Sequence, residues 1–146
     1  MRKNHYKRME QIYLIAPYNV ALYDETSIVI SEGRAEISTR VCPRHHHGAG
    51  AMHGSAYFRM LDDAAFFAVN STIEDLMVYT VSFHTQFLRP VQKGIIKAIG
   101  ELKHSSRNLF IGESSLYDEK GKLVALGRGE FMKSSIDVRT IPGYTD

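Results

Sequence analysis

The chain has almost no cysteine: Cys42 stands alone among 146 residues. An intrachain disulfide is therefore excluded, which suits a reducing compartment and gives the expectation of a cytoplasmic protein. Long hydrophobic runs are missing as well. No stretch approaches the roughly 20 apolar residues that span a bilayer, and the N-terminus lacks the apolar segment of a secretory signal. The expectation is no membrane partner. Charge of one sign is also scarce, with 18 Lys and Arg against 16 Asp and Glu and a formal net charge of +2. That balance supplies no basic stripe for nucleic acid. Part of the positive charge sits in "MRKNHYKR", where Arg2, Lys3, Lys7 and Arg8 read as a solvated helix face. Repeats and low-complexity segments are absent.

What is present is an ordinary hydrophobic content of 44%, enough for one core in a single domain over residues 1–146. Tyr6, Met9, Ile12 and Tyr13 recur at helical spacing, which predicts a helix over 1–17 ended by Pro17. "SIVISEGRAEISTRV" predicts a β-hairpin turning at Ser31-Glu32-Gly33, with Ala35, Ile37, Thr39 and Val41 on one face. A helix from about Ser55 to Asn70 carries Tyr57, Met60, Leu61, Ala64 and Ala68 as one stripe, and Ala65, Phe66 and Val69 make it apolar nearly all round. Such a helix is buried.

Four strands follow. In "VYTVSFHTQFLRP", strict alternation puts Tyr79, Val81, Phe83 and Phe87 on one face and Thr80, Ser82, His84 and Gln86 on the other. "GIIKAIGELKH", "NLFIGESSLYD" and "KLVALGRGEFMK" are the rest, with "DEKG" at 118–121 turning between the last two. Residues 134–146 show no period and predict a loose tail. One long buried helix with antiparallel strands defines an α+β fold in which the sheet curls around the helix.

The stretch "RHHHGAGAMHGSAYFRMLDDAAFFAVN" (44–70) holds most of the chemistry. His45, His46, His47 and His53 are possible metal ligands, but no familiar ligand spacing is present, and a polar loop with local hydrogen bonds is the simpler reading. "GAGAMHG" is close to a dinucleotide fingerprint but follows no buried parallel strand. No G-x-S-x-G elbow exists, and Cys42 before Pro43 reads as an incidental thiol. Asp62 and Asp63 are the anomaly. A buried carboxylate needs a partner or a task. Arg59, at i−3 and i−4, can satisfy one of the two. Either both aspartates form a solvated strip with Arg59, or one is left for chemistry.

"MHGSAYFRMLDDAAFFAVN" resembles the H-G-G-x-x-x-x-L-x-D-x-A signature of hotdog-fold acyl-CoA thioesterases of the PaaI-like branch. "TVSFHTQFLRPVQKGIIKAIGEL" and "DEKGKLVALGRGEFM" extend the resemblance to residues 28–133. It implies a hotdog fold, an antiparallel sheet wrapped around one long central helix, and metal-independent hydrolysis of an acyl-CoA to free acid and CoA. No cofactor is implied beyond the coenzyme A of the substrate itself. By position, Asp62 matches the catalytic carboxylate, as general base or nucleophile. Gly54 matches the backbone N–H donor to the thioester carbonyl, a role suited to a helix N-terminus. Thr80 matches a residue that orients water, and His53 is the motif histidine that holds the loop.

Departures are visible. His47 stands where an asparagine is frequent, and an imidazole N–H can donate the same bond. Ser55 replaces the second glycine and is a candidate N-cap. Asp63 replaces an uncharged residue, so the two aspartates can exchange roles. Candidate substrate contacts are Ser55, Asp63 and Phe66, with Met60 and Phe67 as further acyl-pocket candidates. Arg89, Lys103, Arg107 and Arg128 are candidates for the CoA phosphates. Gly54 and Asp62 lie eight residues apart, about 12 Å along the helix. One thioester carbon cannot meet both from one helix, which predicts a homodimer with the site at its interface, compatible with pairing into a homotetramer. The alternatives are a non-catalytic acyl- or CoA-binding hotdog protein, or a hotdog enoyl-CoA hydratase or dehydratase.

Overall fold

The computed structural model describes residues 2–145. Its helices are α1 (Arg2–Ile15), α2 (Pro17–Leu22) and α3 (Gly54–Asn70). The strands are β1 (Ser27–Ser31), β2 (Arg34–Val41), β3 (Leu76–Phe87), β4 (Gly94–Ser105), β5 (Phe110–Tyr117) and β6 (Leu123–Asp137). All six strands form one antiparallel sheet in the order β1-β2-β4-β5-β6-β3. The sheet curls around α3, which touches β2 to β6. This is the expected α+β hotdog arrangement. Strand β3 is an edge.

The sheet closes tightly on α3 because both sides are small where they meet. Ala64, Ala65 and Ala68 are fully buried on the helix. Opposite them lies Gly100 of β4, where an added Cβ would stand 2.1 Å from the Ala64 carbonyl oxygen. Only a residue without a side chain fits such a backbone approach. Around this contact Ile37, Ile96, Leu116 and Phe131 are fully buried, each worth about 1.5–3 kcal/mol of burial. Ser114 of β5 donates to the Leu61 carbonyl at 2.7 Å, tying sheet to helix by a polar bond too.

Three expectations need correction. Pro17 does end α1, but it also opens α2 from the first helical position, where its missing N–H costs nothing. The tail is not loose. Residues 134–137 complete β6, Val138 is fully buried, and the Tyr144 hydroxyl bonds to His5 Nδ1 at 2.8 Å. His5 Nε2 donates onward to the Asn70 carbonyl at 2.9 Å. Aperiodic segments can still dock through single large side chains, which a period cannot reveal.

The third correction concerns β3. Its register against β6 slips between Thr80 and Ser82, so Val81 is an extra, bulged residue. A bulge resets the alternation of faces. Tyr79 and Val81 are about half exposed, whereas Thr80 and Phe83 both turn toward α3. Phe83 lies over Gly127 and Gly129, where a Cβ would meet its ring at 2.5 and 2.4 Å. The predicted grouping of Tyr79 and Val81 with Phe83 therefore fails at one residue.

Candidate active site

The open face of α3 is a stripe of Ser55, Phe58, Asp62 and Phe66, exposed or half-buried while most of the helix is covered. It looks out beside β3, the edge strand. Asp62 is held there by Thr80, whose hydroxyl donates to Oδ1 at 2.8 Å. Its second oxygen has no hydrogen-bond donor among the described residues. Burial pushes the Asp62 carboxyl above the ordinary range, and the Thr80 hydrogen bond pulls it back in part. A raised pKa and a free oxygen suit a proton acceptor.

Asp63 faces the other way, since successive helical residues are about 100° apart. Tyr13 of α1 donates to its Oδ2 at 2.7 Å, and Arg59 Nε lies 3.3 Å from the same oxygen. That Arg59 contact is a charge pairing without hydrogen-bond geometry, for Nε has no hydrogen-bond partner. The guanidinium is sandwiched instead: Nη2 donates to Asn19 Oδ1 at 2.8 Å, and Cζ lies 3.8 Å from the Tyr23 ring centre. Cation–π contact and ion pairing together hold it in the interior. Burial lifts the Asp63 carboxyl to about 6, with Arg59 and Tyr13 opposing the rise. Of the two readings of "DD", the shared solvated strip does not form. Asp63 takes Arg59, and Asp62 is left over.

At the N-terminus of α3 the N-cap is His53 rather than Ser55. His53 Nδ1 accepts from the Ser55 N–H at 3.0 Å, and the His53 carbonyl accepts from Ala56. Ser55 loses the capping role because the helix starts one residue earlier, at Gly54. The Gly54 N–H then has no acceptor among the described residues, as expected of an unpaired first-turn donor. It borders a cleft of about 360 Å³ lined by His47, Met52, Tyr57, Phe87 and Arg89, among others. His47 Nδ1 accepts from the Ala49 N–H at 3.0 Å, so in the neutral ring Nε2 carries the proton and is a donor.

The other two histidines are structural. His45 is buried, stacked on Tyr23 at 4.7 Å, and bonded to the Leu22 carbonyl at 2.7 Å. His46 Nε2 donates to the Gln92 carbonyl at 2.7 Å. Among the described residues no group of three or more His, Cys, Asp or Glu is placed to hold a metal ion.

The remaining candidates divide. Arg89 lines the cleft beside Gly54. Arg128 is ion-paired with Glu113 on the outer face of the sheet, beside His84. Lys103, the bulged residue of β4, and Arg107, in the β4–β5 turn, are exposed and separated from β3 by β5 and β6. Met60 and Phe67 are buried in the core, and Phe66 packs half-buried against Phe67 and Phe131. Sequence reasoning missed Phe58, which shares the Asp62 stripe and lies 5.5 Å from the Phe83 ring. Its signal was the spacing 55, 58, 62, 66. It also missed Tyr57, whose hydroxyl donates to the Arg89 carbonyl at 2.7 Å.

Comparison with known proteins identifies the family and the fold. The model of the thioesterase superfamily matches residues 49–125, more than half of the chain, including α3 and the residues lining the cleft apart from His47. The chain belongs to the thioesterase superfamily, and at that level it is grouped with thioester hydrolases. It is 24% identical over 102 residues to the 1,4-dihydroxy-2-naphthoyl-CoA hydrolase of Listeria monocytogenes, covering 69% of this chain and 83% of the relative. Its fold matches the PaaI protein of E. coli with a TM-score of 0.82 and 22% identity, over 93% of this chain and 97% of the other. A thioesterase of Haemophilus influenzae matches with a TM-score of 0.76 and 19% identity, over 85% and 87%. None of the described helices is long and apolar enough to cross a membrane.

Proposed function

We propose that the protein hydrolyses acyl-CoA thioesters at a site shared by two copies of the chain. The observation that carries this reading is the placement of the two half-sites. Asp62 looks out beside β3 with one oxygen free, while the free Gly54 N–H opens into a cleft bordered by Phe87, at the far end of the same strand. Twelve residues of β3 form an unpaired edge with Tyr79, Val81 and Phe87 each about half exposed. Such an edge invites another strand. Antiparallel pairing of β3 with its copy about a two-fold axis brings the Thr80 end of one protomer to the Phe87 end of the other. Asp62 then meets the partner's cleft.

In this site Asp62 acts as general base. Water adds to the thioester carbon as its proton passes to Asp62, with Thr80 fixing the carboxylate. The Gly54 N–H, with the His47 Nε2–H beside it, holds the negative charge on the carbonyl oxygen. Collapse of the tetrahedral adduct breaks the C–S bond, and the leaving thiolate takes the proton from Asp62. Product is the free acid and CoA.

A complementation experiment tests both chemistry and sharing. Asp62→Asn removes the base. Gly54→Pro removes the N–H at a first helical position that accepts proline, where the new Cβ meets only the Phe87 ring at 3.4 Å. Each variant alone is expected to be inactive toward a panel of acyl-CoAs, and refolding the two together to restore turnover. No recovery from mixed dimers would reject the shared site. A wild-type protein that binds acyl-CoA without releasing thiol would favour the binding-protein reading instead.

A further inference from the structure

His45 does not line the cleft, yet it stands at the base of the loop that ends on Gly54. Its main-chain carbonyl accepts from the His53 N–H at 2.8 Å, which fastens residues 45–53 into a closed loop. Within that loop the His47 N–H donates to the Ala51 carbonyl at 2.9 Å, and His46 pairs with Met52. His53 leaves the loop as the N-cap of α3, and the next N–H along the chain is the free one of Gly54. The position of the His45 carbonyl therefore sets the direction of both donors of the proposed carbonyl site. It acts on Gly54 by way of His53, and on His47 inside the loop.

The imidazole of His45 is itself held fast. It is buried, and its Nδ1 accepts from the Cys42 N–H at 3.2 Å, which leaves the proton of the neutral ring on Nε2. Nε2 donates to the Leu22 carbonyl at 2.7 Å. One face stacks on Tyr23, with ring centres 4.7 Å apart. Tyr23 also carries Arg59 of α3, whose Cζ lies 3.8 Å from its ring centre. The end of α2 thus grips the base of the loop through His45 and the body of α3 through Arg59. Sliding of the loop against the helix would break one of these grips. An apolar side chain at position 45 would fill the same space, but it would leave the Cys42 N–H and the Leu22 carbonyl without the partner that His45 gives them.

We propose that His45 is a positioning residue for thioester hydrolysis: it fixes the loop that aims the Gly54 N–H and His47 Nε2 at the carbonyl oxygen. It touches no substrate and acts through His53. The inference rests on the thioesterase reading and gives that site a part remote from the cleft.

Two variants separate the bonds of His45 from its packing. His45→Phe keeps an aromatic ring against Tyr23 and loses both nitrogens. His45→Gln keeps an N–H at about the reach of Nε2. On the acyl-CoA of highest turnover, His45→Phe should lose roughly tenfold or more in kcat with little change in KM, because a misdirected donor is felt in the transition state. His45→Gln should regain most of that loss. If His45→Phe does not fold, His45→Asn takes its place, being too short to reach Leu22.

Mixed dimers distinguish aiming from general weakening. In the pair of Asp62→Asn with Gly54→Pro, the first chain supplies the donors and the second supplies the base. His45→Phe added to the donor chain should cut the restored turnover roughly tenfold, and added to the base chain it should cut it far less. Equal losses from the two placements would overturn the positioning role and leave the hydrolase standing. So would full kcat in the His45→Phe homodimer. A wild type that releases no thiol from any acyl-CoA would defeat the thioesterase reading, and the role of His45 would fall with it.

Discussion

Asp62 and Asp63 are neighbours in sequence and opposites in environment. Asp63 lies under α1 and α2, among Tyr13, Arg59, Asn19 and Tyr23, and each polar atom around it serves to hold the N-terminal helices against α3. Asp62 lies beside an edge strand with one threonine for company and one oxygen unspent. The lesson is that burial alone does not mark a functional carboxylate. The more deeply engaged of the two has the larger rise in pKa, yet its partners are all structural. The useful distinction is whether the partners leave an oxygen free toward open space.

The largest effect expected from this contrast is on turnover. Asp62→Asn should lower kcat by roughly 10²–10⁴-fold with an unchanged circular dichroism spectrum, as loss of a positioned base does. Asp63→Asn should keep most of the activity. A reversed outcome in thiol-release assays would exchange the two roles.

The next effect is on stability against pH. Burial raises the folded-state pKa of Asp63 to about 6, above the 3.8 of an ordinary aspartate. Between those values the native state holds a proton that the unfolded chain lacks, so unfolding free energy falls as pH rises. Relative to Asp63→Asn, the wild type should lose on the order of 2 kcal/mol from pH 4 to 6.5 in urea titrations. A difference that grows with pH would mean that Arg59 outweighs desolvation.

The smallest effect belongs to Thr80. Thr80→Val removes a hydrogen bond that favours ionised Asp62. The acid limb of the kcat/KM profile should move to higher pH by roughly one unit or less. A shift to lower pH would show that Thr80 does not act on Asp62 through that bond.

Much of this was legible in the residues, and the exceptions have physical causes. The periodicity of 55–70 marked α3 as buried, and the carboxylate in its middle as anomalous. Alternation marked the strands, but it cannot register a bulge, so it grouped Thr80 with Ser82 and His84, whereas Val81 is an extra residue and Thr80 bonds to Asp62 of α3. The partners of Asp63 were invisible for another reason. Tyr13 lies 50 residues away, and only the tertiary packing of α1 brings it there. Candidate cations suffered likewise: Arg128 and Arg89 look alike in sequence, and only the cross-strand position of Glu113 separates them. The adjacent histidines go separate ways: His45 bonds to Leu22 and His46 to Gln92, 23 and 46 residues away, and only His47 bonds locally, to Ala49, while lining the cleft.

The bond between His5 and Tyr144 joins positions 139 residues apart. In topological terms this bond closes a ring that runs from α1 to the segment after β6. A ring can be cut elsewhere. A short linker across this junction, with new ends opened in the exposed turn at Lys120-Gly121, would yield a circular permutant whose helix and sheet meet in the native order. The same closure warns against Tyr144→Ala, because losing the Tyr144 hydroxyl strips the partner from the buried imidazole of His5.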